Sequence, residues 1–307
     1  MRTYSCLQKK GRERMHPLLS PVLANRLTAF RLTSKRVVQG GHKGERRSPR
    51  LGSSLEFSDY RLYSPGDDLR QIDWNTYART QKYYVKRFLD EQELSVSIYL
   101  DCTKSMGIKQ EKWTRAKELA AAFAFLALTN SDRLSVIPVA SSTDVYPYTK
   151  GKAMTKRVLP FIEQTSLTDG EDAFGEHLNK TLHQSRKGSL NLVISDFLDD
   201  PTDLFAALKK MQAKHQQVLL IQIVLPEEVH PDHFGDLQLV DSETTEQRDV
   251  TMSPNVIKNY KQLFEAHTES IKSFCRRRGM DLITCPTSDS LEQSLFSSVM
   301  RQGWIGR

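Results

Sequence analysis

The 307-residue chain is poor in the residues that build several common chemistries. It has four cysteines, Cys6, Cys102, Cys275 and Cys285, and no two of them form a CxxC pair or sit beside a histidine cluster. This pattern argues against a disulfide framework and against a cysteine-based zinc site, and it fits a reducing compartment. The eight histidines are scattered; His177 and His183 share one helical stretch but lack metal-ligand spacing. No apolar run is long: residues 119–128 and 218–225 fall well short of the roughly 20 needed to span a bilayer. The first 14 residues are polar and basic and carry no apolar segment of a secretory signal. A soluble, cytoplasmic protein is the expectation. P-loop, G-x-S-x-G and H-E-x-x-H motifs are missing, and no internal repeat or low-complexity tract is present.

Acidic residues are scarce in one region only. Residues 1–50 hold 13 Lys and Arg against Glu13 and Glu45, a net of +11, whereas the whole chain nets +7. The remaining residues therefore net −4, and the basic character belongs to the first segment. Such a segment suits an arm that touches nucleic acid, anionic lipid or an acidic protein surface. The plainer reading is a solvated basic tail, because no aromatic interleaving or nucleic-acid motif accompanies it.

What is present is a regular alternation. Leu19, Leu23, Leu27 and Phe30 predict a short amphipathic helix within 16–32, docked on the main domain. Gly40, Gly41, Gly44 and Ser48-Pro49 mark a linker. Residues 51–90 are rich in polar and aromatic side chains and contain the turn Ser64-Pro65-Gly66-Asp67 and a strand near 83–88. They read as an arm packed on the main domain. From residue 94 onward, strands are predicted at 94–100, 134–139, 190–195, 218–225 and 281–285. Helices are predicted at 112–129, 152–163, 172–186, from Pro201, 255–278 and 290–300, with a hairpin insertion at 236–250. Strands alternating with helices predict a doubly wound, largely parallel α/β sheet.

Ligands bind such sheets at the carboxyl ends of the strands. Asp101 ends the first predicted strand and Asp196 ends the strand 190–195. After Asp101 come Thr103 and Ser105, so alternate positions carry a carboxylate and two hydroxyls. These hard oxygens suit Mg²⁺ above all, with Mn²⁺ or Ca²⁺ as alternatives, and do not suit zinc. Taken alone, Asp-x-Thr-x-Ser serves equally as a cap for the following turn. The apolar strand before it and the second strand-terminal aspartate favour a metal site. A phosphatase with a nucleophilic aspartate is a rival, but that chemistry needs an acid two positions on, where Thr103 stands.

The Asp101-x-Thr103-x-Ser105 loop resembles the metal-ion-dependent adhesion site of von Willebrand factor A domains, and Asp196 resembles that site's later aspartate. Glu56-Phe57, Arg61-Leu62-Tyr63, Pro65-Gly66-Asp67-Asp68, Arg70, Ile72-Asp73-Trp74 and Ala78-Arg79 resemble the signature of the domain-of-unknown-function family numbered fifty-eight. Together the two blocks cover roughly residues 15–305. The resemblance implies a Rossmann-like von Willebrand factor A fold over 91–307, preceded by the basic segment 1–50 and the signature arm 51–90. It also implies a further threonine ligand from the loop 165–172. Aligned on Gly170 and Asp172, that slot falls on Glu171; matched by residue type, Thr168 fills it.

The resemblance further implies a non-enzymatic module that binds proteins through a divalent cation, in company with a MoxR-type AAA+ ATPase or its client. In the arm, Arg61, Asp67, Arg70, Asp73, Trp74 and Arg79 are candidates for partner binding or for internal ion pairing. The alternatives are anionic-surface or nucleic-acid binding through residues 1–50 and, behind it, a metal-dependent phosphohydrolase.

Overall fold

The computed structural model describes residues 18–34, 56–89, 93–168, 173–186, 188–231, 235–240 and 247–307. Most of the basic segment, the linker glycines and Glu171 lie outside the described residues, so the surface-binding expectation for residues 1–50 rests on residues not described. The chain divides into two compact units. One comprises Met1–Val37 with Leu94–Arg307, and the other is Val38–Glu93.

Helix α1 (Pro21–Leu27) opens the first unit. Ser20 caps it, its hydroxyl accepting from the Leu23 N–H, and Pro21 occupies the first turn, where its missing N–H costs nothing. Leu19, Leu23, Leu27 and Phe30 all enter the main hydrophobic core, as their spacing predicts. Strand β1 (Arg31–Leu32) follows.

The second unit holds β2 (Glu56–Leu62), α2 (Trp74–Thr80) and β3 (Tyr84–Leu89), with β2 and β3 paired antiparallel. Asp73 caps α2 by accepting from the N–H groups of Asn75 and Thr76, and it also accepts from the Tyr60 hydroxyl at 2.8 Å. Asp67 accepts from the Ser64 N–H across the turn and pairs with Arg61 at 2.7 Å. The polar signature residues Arg61, Asp67 and Asp73 therefore hold this unit's own turns and helix. Trp74 is 59% exposed, and Arg70 and Arg79 are exposed with no ion pair among the described residues.

The first unit resumes with β4 (Ser95–Asp101), α3 (Gln110–Thr129), β5 (Arg133–Val139), β6 (Tyr146–Lys150), α4 (Thr155–Gln164) and α5 (Phe174–Thr181). It continues through β7 (Leu190–Ser195), α6 (Pro201–Ala213), β8 (Gln217–Val224), the short α7 (Pro226–Val229) and the hairpin β9 (Gly235–Val240) and β10 (Gln247–Met252). It ends with α8 (Pro254–Arg277), β11 (Asp281–Pro286), α9 (Leu291–Gln293) and β12 (Ile305–Gly306), which pairs with β1.

Six strands form one sheet in the order β11-β8-β7-β4-β5-β6, all parallel except the edge strand β6. This is the doubly wound, largely parallel α/β sheet that the alternation predicts. Its strands are apolar on both faces, so alternate side chains feed two cores. Ile98, Leu100, Leu192, Ile194 and Ile221 meet α3, whose residues from Leu119 to Leu128 are buried nearly all round. Tyr99, Ile137, Val193 and Leu220 meet the other side, with Phe174, Leu208 and Phe274. Helix α8 stops where the Met280 N–H bonds back to the Cys275 carbonyl across Gly279, whose φ of +68° suits glycine.

The structure differs from the sequence pattern in several places, the short strands β1 and β12 among them. β6 has no counterpart among the predicted strands; its residues are intermediate or exposed and carry no apolar periodicity. β2, the partner of β3, has none either. The predicted helix 290–300 is a capped turn, α9, followed by a wider π-type stretch, Ser294–Val299.

Candidate metal centre

The chain leaves β4 to build β5 and β6 on one side, then returns to place β7, β8 and β11 on the other. The strand order therefore reverses between β4 and β7, the kind of switch point at whose carboxyl ends such sheets take their ligands. The register pairs Leu100 with Ile194, which sets Asp101 level with Ser195 and brings Asp196 just beyond. The two aspartates singled out by sequence thus meet at this switch point.

Asp101 is fully buried and bound on both oxygens. Its Oδ1 accepts from the Thr103 N–H and the Thr103 hydroxyl, each at 2.8 Å, and its Oδ2 accepts from the Ser195 hydroxyl at 2.6 Å. Thr103 Oγ1 and Ser105 Oγ lie 3.0 Å apart. Burial, and then the charge of Asp196, push the Asp101 carboxyl up to about 7, although the hydrogen bonds from Ser195 and Thr103 oppose the rise.

Thr168 is drawn to the same place: its backbone N–H donates to the Cys102 carbonyl at 2.8 Å. The loop that carries it sits directly on the motif, since a Cβ at Gly107 would run into the Leu167 side chain. Glu171, the other candidate for the threonine slot, is outside the described residues. Cys102 is buried beside Asp101, and burial followed by the aspartate's charge drives its thiol well above the ordinary range, which makes it inert.

Asp196 has a different partner. Lys112, fully buried on the first turn of α3, places its ammonium 2.7 Å from Asp196 Oδ2 and 2.7 Å from Glu228 Oε1. Burial alone pulls the Lys112 pKa down, but Asp196 and Glu228 outweigh it and the net shift is upward, so the ammonium stays charged. Glu228 Oε2 accepts from the Leu225 N–H, which fixes the turn after β8. The remaining Asp196 oxygen, Oδ1, accepts from the Leu198 N–H at 3.3 Å.

Lys112, Glu228 and Ser195 escaped the sequence reading. Two of them carried a signal. Lys112 is one turn before Ala116 and two before Ala120 on the inward stripe of α3, a charge on an otherwise apolar face. Glu228 follows the apolar strand β8 within four residues of its end, close to the placement that singled out Asp101 and Asp196.

The donors fit a hard divalent cation in kind and spacing. No group of three or more His, Cys, Asp and Glu is arranged for a metal among the described residues, and the neutral donors beside Asp101 are the hydroxyls of Thr103 and Ser105. An octahedral Mg²⁺ with bonds of about 2.1 Å has neighbouring ligand oxygens about 3 Å apart, the separation of Thr103 Oγ1 from Ser105 Oγ. Asp196 and Glu228 share one ammonium, and the charge of Asp196 is felt at Asp101.

The chain is 26% identical over 275 residues to the uncharacterized protein Rv1480 of Mycobacterium tuberculosis, an alignment that spans 87% of this chain and 86% of that protein. Among solved structures, it is similar to the conserved hypothetical protein BatB from Bacteroides thetaiotaomicron, at 15% identity and a TM-score of 0.38, over 66% of this chain and 95% of that one. It is also similar to a von Willebrand factor type A protein from Catenulispora acidiphila, at 12% identity and a TM-score of 0.39, over 80% of this chain and 50% of that one. No helix among the described residues is long and apolar enough to cross a membrane. The family model "Protein of unknown function DUF58" matches residues 59–270, which take in the signature residues from Arg61 to Arg79, the Asp101 loop and Asp196, and the chain belongs to that family.

Proposed function

We propose that this chain is a cytoplasmic, non-enzymatic interaction module that binds a divalent cation, Mg²⁺ first, at Asp101, Thr103 and Ser105 and uses it to recognise a carboxylate on a partner protein. The observation that carries the reading is the convergence of one buried carboxylate and two neighbouring hydroxyls at the switch point of the sheet. Thr103 and Ser105 are neutral ligands and leave most of a cation's charge uncancelled. Asp101 supplies the anionic anchor, and Ser195 orients it from the neighbouring strand. When bound, the cation supplies a Lewis-acidic position able to accept a partner's Asp or Glu. Thr168 lies on the adjoining loop and is the candidate for a further ligand.

Two features support binding over turnover. Thr103 stands where a phosphatase would hold its general acid, and its hydroxyl is committed to Asp101. The motif's own cysteine is buried and inert. The partner we propose is a MoxR-type AAA+ ATPase or its client. Affinity purification of tagged protein with and without a chelator tests this. A specific partner departs with the metal, and the Asp101→Ala protein fails to retain it. Retention of the same partner by Asp101→Ala in chelator contradicts the proposal.

A further inference from the structure

The second aspartate of the site is already neutralised from within. Lys112 is the only lysine among the described residues that is buried to 0% exposure, and it is sited on the first turn of a helix whose other inward residues are mainly alanine, leucine and phenylalanine. Its ammonium contacts Asp196 and Glu228 at 2.7 Å each. Both acids are nearly buried, with side-chain exposures of 5% and 14%. An ammonium in such surroundings is not an adaptable surface charge, because each of its acids would be left uncompensated if it swung away.

We propose that Lys112 is a tethered counter-ion that sets the divalent-cation affinity of the Asp101 site. Lys112 holds Asp196 Oδ2 and so withholds that carboxylate from the cation. It also places a fixed positive charge beside a site meant for another. The consequence is a weak and selective site, in which binding depends on Asp101, Thr103 and Ser105, and in which the cation is held with charge to spare. Glu228 is the positioning partner: it fixes Lys112 from the β8 side, and its other oxygen is anchored on the Leu225 N–H. This deepens the proposed function and rests on it.

The test is Mn²⁺ titration of the full chain, followed by the loss of the free-ion paramagnetic resonance signal. It uses the wild type, Asp101→Ala, Lys112→Met, Lys112→Arg and the charge-balanced double variant Lys112→Met with Glu228→Gln. The double variant removes one positive and one negative charge together, which guards against a single variant that fails to fold. Releasing Asp196 Oδ2 with the net charge unchanged should tighten Mn²⁺ binding by about tenfold in the double variant, and Lys112→Met, which also removes the fixed positive charge, should tighten it at least as much where it folds. Lys112→Arg, which keeps the charge, should stay within about threefold of the wild type on the same reasoning.

A merely structural role for Lys112 predicts weaker binding in every variant. Equal or weaker Mn²⁺ affinity in the folded double variant overturns the inference. If the wild type binds and Asp101→Ala does not, that failure leaves the proposed metal site standing. If no protein in the series binds Mn²⁺, both fall.

Discussion

Asp101 and Asp196 lie at the carboxyl ends of adjacent parallel strands and are both buried, yet they are satisfied in opposite ways. Asp101 is held by the hydroxyls of Thr103 and Ser195 and one backbone N–H. Asp196 is held by the Lys112 ammonium. Hydroxyl hydrogen bonds to a carboxylate are modest in net free energy, and the hydroxyls themselves carry lone pairs that can turn to a cation. An ammonium has no lone pair and no acceptor role, so it can only compete with a cation. On the proposed reading, the Asp101 side of the switch point receives a positive charge, and the Asp196 side already has one.

The comparison can be broken most forcefully at Lys112. Removing one partner of a buried ion pair typically costs about 3–5 kcal/mol, so urea denaturation of Lys112→Met should show a loss of that order. Adding Glu228→Gln should recover part of it, because one of the two orphaned acids is then neutral. A Lys112→Met protein as stable as the parent would mean that Asp196 is not held by this ammonium.

The next largest effect belongs to Asp101 and appears as a pH dependence. Its carboxyl is raised from 3.8 to about 7, so between those values the folded protein keeps a proton that the unfolded chain has released. Its contribution to stability is therefore full below 3.8 and is lost as the pH rises through 7. In chelator, denaturation midpoints should record a loss of roughly 2–4 kcal/mol from this group across that window. Asp101→Asn should flatten that part of the profile, and saturating Mg²⁺ should do the same in the wild type. An unchanged slope in Asp101→Asn would assign it to another group.

A third aspartate sharpens the contrast by being purely structural. Asp73, in the other unit, caps α2 and accepts from Tyr60, and it ends no strand of the main sheet. Loss of such a cap costs about 1 kcal/mol, and the lost tyrosine hydrogen bond adds about as much. Asp73→Ala should therefore lower stability by about 2 kcal/mol and leave cation affinity unaltered. The smallest effect is expected at the Arg61–Asp67 pair, whose arginine is 43% exposed, where Arg61→Ala should cost about 1 kcal/mol or less.

The sheet was legible because its strands are buried on both faces and write themselves as apolar runs, as in residues 190–195 and 218–225. Helix α3 was legible for the same reason. β6 and β2 were not: β6 is the edge strand of the sheet, and neither Tyr146–Lys150 nor Glu56–Leu62 carries an apolar alternation. Asp101, Thr103, Ser105 and Asp196 could be picked out because each lies at or just beyond a strand end. The ion pairs could not, since Lys112 is 84 residues from Asp196 and 116 from Glu228, and only the sheet order brings them together. Within the signature segment, residue types alone did not separate Asp73, which builds its own unit, from Trp74 beside it, which faces solvent.

The central claim is that Asp101, Thr103 and Ser105 form a cation site, and calorimetric titration of Mg²⁺ into the wild type and Asp101→Ala at neutral pH tests it most directly. The account predicts one saturable site in the wild type and none in the variant; equal binding by both, or none by either, would contradict it.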